Sequence, residues 1–452
     1  MTATDTQLDA LIAKYRVHET PLTVNFRKLV GGLTSAERAT HLLHPYPAKL
    51  LMHIPIFFLA NSILSKPGDY VLDPFCGSGT VLLESQLAGR PAYGADCNPL
   101  ARLLSRVKTT PLPSSKLQRG ITDLLGRIPS EPKSELPDVV NLRHWFYPHV
   151  IDQLHRIADA ITVVQDPAMA DFFRVCFSTC LRRVSLADPR LTVPVRLKGD
   201  QYPCGHWLRA KTEAHIRRLR RVNVQSVFAE ILEANALRMT TLQEYDQLPP
   251  ARVICSDARY LAFEFVRSSP SVHRLPDSSV QLIITSPPYP GAQKYIRSSS
   301  LSLGWLRLCS SSQLRGYKGL VIGREEYRKA EYSTPITTGL PPADQRLSKI
   351  RKLSPIRSTI AGVYLNEMKV ALQEMHRVLR PGGYLVIVAA NNTICGRQFQ
   401  LEDYLHRVAE AIGFVTILRL VDTIRSRGLM TKRNRTAGII ARESVLVFEK
   451  KG

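Results

Sequence analysis

Acidic residues are few in this chain: Asp and Glu number 38 against 61 Lys and Arg, leaving a formal net charge of +23 over 452 residues. With an ordinary hydrophobic content of 44%, this is not the composition of a disordered chain, and the basic surplus points first to a polyanionic partner. Nucleic acid leads, and an anionic membrane surface is second. Long apolar runs are missing too. The longest, Leu51 to Leu64, is interrupted by His53, Pro55 and Asn61 and falls short of the roughly 20 apolar residues that cross a bilayer. It reads as a buried helix, and no membrane partner is expected. Met1 to Tyr15 lacks the basic-then-apolar pattern of a secretion signal, so the expectation is a cytoplasmic, nucleoid-associated protein. Of eight cysteines only Cys176 and Cys180 lie within a turn of each other; the paired spacings of a zinc site are absent, and reduced thiols without a metal are expected. There is no internal repeat and no low-complexity tract.

What is present begins with a strand signal, Tyr70 to Asp73, running into Pro74-Phe75-Cys76-Gly77-Ser78-Gly79-Thr80 and a helical pattern from Val81 to Ala88. A second strand signal, Ala92 to Ala95, ends at Asp96 and leads through Asn98-Pro99 into another helical run, giving a βαβα start and an α/β fold class. From Thr109 to Pro250 the pattern changes to proline-bearing loops and helical runs, which reads as an insertion. Strand signals resume at Val253 to Cys255 and at Leu282 to Thr285, the latter ending at Ser286-Pro287-Pro288-Tyr289, where successive prolines must leave the sheet. A second basic stretch covers about 297–357. The helical run Tyr364 to Leu379 stops at Pro381-Gly382-Gly383; strand Tyr384 to Ala389, helix Glu402 to Ala411 and strands Phe414 to Val421 and Ser444 to Phe448 follow. The expected organisation is 1–108 as the first half of a catalytic domain, 109–250 as a basic insertion and 251–452 as the second half.

In an open parallel sheet, ligands bind beyond the carboxyl ends of the strands. Gly77 and Gly79 allow positive φ and close backbone approach, Asp73 at the strand end can bond the amino group of an amino-acid-like ligand, and Asp96 is placed to accept ribose hydroxyls. The run from Asp73 to Thr80, followed by Gly94-Ala95-Asp96-Cys97-Asn98-Pro99, resembles the S-adenosylmethionine site of DNA amino-methyltransferases. His44-Pro45-Tyr46-Pro47-Ala48-Lys49 is similar to the segment that closes over the methionine end of the cofactor in such enzymes, and Ser256-Asp257-Ala258 to the place where they hold an acid near the adenine amino group. For Asp257 a helix N-cap is the competing reading. The resemblance assigns Tyr46, Pro47, Lys49, Asp73, Phe75, Gly77, Gly79, Thr80, Asp96, Asn98, Asp257 and Ala258 to S-adenosylmethionine. It implies a Rossmann-like class I methyltransferase: a mostly parallel seven-stranded sheet with an antiparallel terminal hairpin, elaborated by basic helical insertions.

Thr285-Ser286-Pro287-Pro288-Tyr289 resembles the catalytic motif of the same family. An exocyclic base amino group is a poor nucleophile because its lone pair is delocalised into the ring, so it must be held with that pair aimed at the methyl donor. Ser286 Oγ and the Pro287 carbonyl can accept its two hydrogens, with Pro288 shaping the turn and Tyr289 offering a flat face to a base rotated out of the duplex. Serine in the first place is associated with cytosine N4 enzymes; adenine N6 is the alternative. A 5-methylcytosine enzyme needs a cysteine nucleophile, and the only Pro-Cys pair, Pro203-Cys204, lies in the basic insertion.

Between Arg174 and Arg221 the chain has twelve basic residues against three acids, and from Arg297 to Arg357 twelve against four. Such density suits phosphate contacts. Arg182, Arg183, Arg190, Arg196, Arg217, Arg218, Arg220 and Arg221 are the candidates for binding duplex DNA, and Arg182 to Pro189 also looks like a signature of a subgroup of bacterial DNA methylases. The resemblance further implies a restriction-modification or phage-defence setting with a cognate endonuclease or defence partner. An RNA amino-methyltransferase and a non-catalytic DNA-binding protein on the same fold are the rival readings.

Overall fold

The computed structural model describes residues 3–31, 38–47, 49–245, 247–263, 273–291, 295–423 and 442–452. Helix α1 (Ala3–His18) and the short strand β1 (Leu22–Val24) precede α2 (His53–Leu59), the buried helix expected within the apolar stretch. Next come β2 (Val71–Asp73), α3 (Thr80–Leu87), β3 (Ala92–Ala95) and α4 (Pro99–Lys108). Between α4 and the next strand lie α5 (Ser114–Gly126), α6 (Pro148–Thr162), α7 (Pro167–Val184), α8 (Trp207–Leu219) and α9 (Val224–Thr240). Strands β4 (Ala251–Cys255) and β5 (Val280–Thr285) lead to α10 (Tyr295–Trp305), α11 (Leu314–Leu320), α12 (Pro341–Arg351) and α13 (Pro355–Val378). The chain closes with β6 (Leu379–Ala389), α14 (Leu401–Ile412), β7 (Phe414–Thr423) and β8 (Arg442–Lys450).

The main sheet has the order β1-β7-β8-β6-β5-β2-β3-β4. All neighbours pair in parallel except β8, which runs antiparallel to both β6 and β7. This is an open, Rossmann-like α/β sheet with the antiparallel terminal hairpin. Its eighth strand corrects the expected seven: β1 adds at the edge, Leu22 pairing with Leu420. Three residues carry too little alternation to register as a strand, and their place depends on the partner β7. A second difference lies before Pro381: the helix ends at Val378, and Leu379 is already extended and paired in β6, ahead of the strand signal that begins at Tyr384. Gly383 is required there, since a Cβ would lie 2.9 Å from the carbonyls of Arg380 and Gln281.

One face of the sheet packs on α1 and α2 through Phe26, Phe57 and Phe58, the other on α13 and α14 through Tyr364, Met368 and Tyr404. A third cluster belongs to the helices: α5, α6, α7 and α9 pack around Phe172, Phe177 and Phe228, and α4 and α10 enter the same cluster. Trp305 at the end of α10, 2% exposed, meets Phe146 and Phe177 edge-on with ring centroids 5.9 and 6.0 Å apart. Each such buried aromatic stabilises by about 1.5–3 kcal/mol, so these contacts fasten α10 to the helical layer. Local signals start these helices: Asn98 and Asp166 cap α4 and α7 with their side chains, and proline occupies the first turn of both. Among the described residues no helix is long and apolar enough to cross a membrane, and no group of three His, Cys, Asp or Glu could hold a metal ion.

Candidate active site

After β2 the chain winds outward through β3 to β4, then returns across to β5 on the other side of β2, so strand order reverses between β2 and β5. Crevices form at such reversals, at the carboxyl ends of the strands. Here Thr285 Oγ at the end of β5 donates to Asp73 Oδ1 at the end of β2, 2.6 Å away, and the Phe75 N–H donates to the same oxygen at 3.0 Å. Both side chains are buried. The bond joins the two motifs, and a cavity lined by residues of both opens above it.

The glycine turn forms the floor. Gly77 stands at φ +49° and its N–H donates to Asp96 Oδ2 at 2.9 Å, while Asp96 Oδ1 accepts the Asn98 N–H at 2.8 Å. The carboxylate thereby ties the first loop to the second. Gly79, at φ +77°, lets α3 start against α4: a Cβ there would fall 2.9 Å from the Cα of Ser105. Asn98 is fully buried and faces away from the cavity's lining; its Oδ1 caps α4, and its Nδ2 donates to Tyr46 Oη at 3.0 Å and Ser299 Oγ at 2.9 Å. It fastens the 38–47 segment and α10 to α4. Lys49 donates to the carbonyls of His41 and His44 at 3.0 and 2.6 Å, and burial lowers its pKa to about 8.

Burial pushes the Asp73 carboxyl up to about 7 and Asp96 up to about 6, against hydrogen bonds that pull both down. Two desolvated carboxyls at the mouth of a glycine turn suit a ligand that brings its own positive charge and a pair of hydroxyls. S-adenosylmethionine, with an ammonium, a sulfonium and a ribose, fits this set. The raised pKa values also fix a pH dependence. Asp73 is 3.8 as a free side chain and about 7 when folded, so the stability that its proton uptake contributes is present below 3.8 and lost as pH rises through 7; Asp96 behaves likewise up to about 6. A cationic ligand favours the ionised form and offsets that loss. Affinity for S-adenosylmethionine should therefore fall up to about tenfold per unit as pH drops below about 7, a slope that Asp73→Asn flattens. Calorimetry from acid to neutral pH measures it, and a flat wild-type profile would refute the assignment.

Ser256, Asp257 and Ala258, after β4, form another wall with the apolar triplet Leu320–Ile322. Asp257 accepts the Arg259 backbone N–H at 2.9 Å in a turn that starts no helix, so it is not a helix N-cap, and its carboxylate is paired with the Arg259 guanidinium at 2.9 Å. Arg259 also reaches Glu367 at 2.9 Å and the Leu320 carbonyl at 3.2 Å, clamping the triplet over this wall. Arg259, Leu320, Val321, Ile322 and Tyr295 escape the sequence reading. The triplet lies inside a stretch read only for its charge, and its apolar run was the available signal.

The cavity gathers Tyr46, Lys49, Asp73, Phe75, Gly77, Thr80, Asp96, Asp257 and Ala258 with Ser286 and Pro288 of the Ser-Pro-Pro-Tyr motif. Pro47, Gly79, Asn98, Pro287 and Tyr289 do not line it; Tyr289 is half-buried against the cluster beneath α13. The basic candidates divide. Arg182 bonds the carbonyls of Asp188, Leu191 and Thr192 and so braces its own loop, Arg190 is paired with Asp188 at 2.6 Å, and Arg196 meets His144. Arg218 donates to the Arg183 carbonyl at 3.2 Å, and Arg217 pairs loosely with Glu213 at 3.9 Å. Arg220 and Arg221 are exposed. All eight cysteines are free.

A family model described as DNA methylase matches residues 60–102, which hold β2, the glycine turn and Asp96. Type II methyltransferase M.MvaI of Kocuria varians is 25% identical over 377 residues, 80% of this chain and 79% of that enzyme. Type II methyltransferase M.MjaII of Methanocaldococcus jannaschii is 32% identical over 97 residues, 21% of this chain and 18% of its own length. Among solved structures, the Thermus thermophilus protein TTHA0409 complexed with S-adenosyl-L-methionine is similar at 18% identity over 39% of this chain and 50% of its own, with a TM-score of 0.20. The rRNA methyltransferase aviRa of Streptomyces viridochromogenes is similar at 12% identity, covering 94% and 96%, with a TM-score of 0.31.

Proposed function

We propose that the chain is an S-adenosylmethionine-dependent DNA amino-methyltransferase, as the DNA methylase match and the two type II methyltransferase relatives support, and that it methylates the exocyclic N4 of cytosine in a specific duplex DNA sequence, on a base rotated out of the helix. The observation that carries this reading is the Thr285–Asp73 hydrogen bond, which sets Ser286 beside the strand end that would receive the cofactor. Asp73 would hold the ammonium, Asp96 the ribose hydroxyls, and the wall of Asp257, Ala258 and Leu320–Ile322 the adenine. When bound, the cofactor supplies an electrophilic methyl group.

The protein's part is positioning. Ser286 Oγ and the Pro287 carbonyl accept the two amino hydrogens, which turns the nitrogen lone pair toward the methyl donor and stabilises the positive charge that grows on nitrogen as the new N–C bond forms. The surplus proton then leaves to solvent. Tyr289 contributes the flat face for the base. Covalent attack by the protein finds no support here: Cys76 and Cys97 line the cavity, but burial pushes both thiols far above neutrality, and Cys204 lies outside it.

Serine at position 286 favours cytosine N4 over adenine N6. The exposed arginines of the 174–221 segment would bind phosphates, with a cognate endonuclease or defence partner as the biological setting. The test is incubation with methyl-labelled S-adenosylmethionine and mixed-sequence duplex DNA, digestion to nucleosides and identification of the labelled product by mass. N4-methylcytosine is expected. N6-methyladenine would keep the chemistry and correct the base, and label in RNA alone would overturn the DNA assignment.

A further inference from the structure

The loop joining α7 to α8 and the first residue of α8 carry three aromatic rings that methyl transfer does not use. Tyr202 and His206 stack with centroids 4.8 Å apart and planes 16° from parallel, and His206 and Trp207 follow at 6.2 Å and 20°. The row is preorganised. His206 Nδ1 accepts the Leu208 N–H at 3.1 Å, so one contact caps α8 and fixes the imidazole plane. Gly205 at φ +81° makes the turn that brings Tyr202 back over it.

The row is also open to solvent. Trp207 is 66% exposed, whereas Trp305 is buried and Trp145 packs against the helical cluster. Both ends carry cations: Arg190 lies over the Tyr202 ring at 5.3 Å, and Lys211 Nζ, one helical turn along α8, lies over the Trp207 ring at 4.9 Å. Around them the 174–221 segment holds twelve basic residues against three acids. Flat apolar rings set among positive charges match a polymer of flat bases on a negative backbone.

We propose that Tyr202, His206 and Trp207 form a stacking platform for a DNA base, with Trp207 as the face that receives it. The proposal rests on the reading of duplex DNA as substrate. Lys211 is a placeholder. An exposed cation–π contact is weaker than a stacked base, so the ammonium gives up the indole face and turns to a neighbouring phosphate. The base that stacks is one whose own neighbours have been lost, as happens beside an extruded nucleotide.

Anisotropy of a fluorescein-labelled mixed-sequence duplex, titrated with the full-length protein, tests this. Trp207→Ala should weaken binding about tenfold, and Trp207→Phe should restore most of it. Because stacking neutralises no phosphate, the slope of log Kd against log salt should stay at its wild-type value in Trp207→Ala. Melting temperature and S-adenosylmethionine affinity should be unchanged. Wild-type DNA affinity in Trp207→Ala, with the wild-type enzyme methylating DNA, overturns the platform and leaves the functional reading standing. Joint loss of DNA and cofactor affinity marks a purely structural role and also overturns it. A wild-type protein that neither binds duplex DNA nor methylates it overturns both.

Discussion

Ser286→Ala should slow methyl transfer about 100-fold while leaving the Kd for S-adenosylmethionine within about twofold, because deleting one preorganised group that meets transition-state charge typically costs two to three orders of magnitude. The hydroxyl lines the cavity directly after Thr285, whose bond to Asp73 holds the loop in place. The truncation leaves that bond and the diproline turn intact, so the loss falls on the chemical step and not on binding. Single-turnover transfer at saturating cofactor, alongside calorimetric Kd, separates the two. An equal loss in both would show that Ser286 serves the cofactor rather than the base.

Asp96→Ala should do the reverse, raising the Kd for S-adenosylmethionine about 100-fold with a much smaller change in turnover at saturation. The carboxylate accepts the Gly77 N–H at 2.9 Å and the Asn98 N–H at 2.8 Å, so alanine strands two backbone donors as well as removing the acceptors proposed for the ribose. Each buried donor left unpaired costs about 1–3 kcal/mol, part of it relieved by water, and 100-fold corresponds to about 2.7 kcal/mol. A variant whose affinity is unchanged would take Asp96 out of the cofactor site.

Much of this site was legible in the sequence because the residues that build it act locally. Gly77, Gly79 and Asp73 sit at the end of an apolar strand, and Asn98-Pro99 starts a helix with its own cap, so strand, turn and helix follow from neighbours in the chain. The diproline after Thr285 breaks the sheet wherever the strand ends. What escaped depends on partners far away in sequence. Strand β1 exists only as a neighbour of β7, nearly 400 residues on. Arg259 matters because Asp257, Glu367 and the Leu320 carbonyl converge on it, and no spacing announces that meeting. Charge misled in a different way: the 174–221 and 297–357 segments share one character in composition, yet the structure spends Arg182 on its own loop and sets Leu320–Ile322 into the cavity wall. Counting arginines does not separate a brace from a phosphate contact.

The edge contacts of Trp305 with Phe146 and Phe177 have a consequence for how such a protein changes over time. Helix α10 follows the Ser-Pro-Pro-Tyr loop, while Phe146 and Phe177 belong to the helical layer before β4, so stretches some 130 to 160 residues apart meet in one interior. Neither can travel without the other. A recombination event that swapped the earlier helices alone would bring unmatched surfaces against Trp305, and the mismatch would be felt in the helix next to the reacting groups. Altering exposed side chains leaves that shared interior intact, and exchanging the helices does so only when both stretches move as one inherited block.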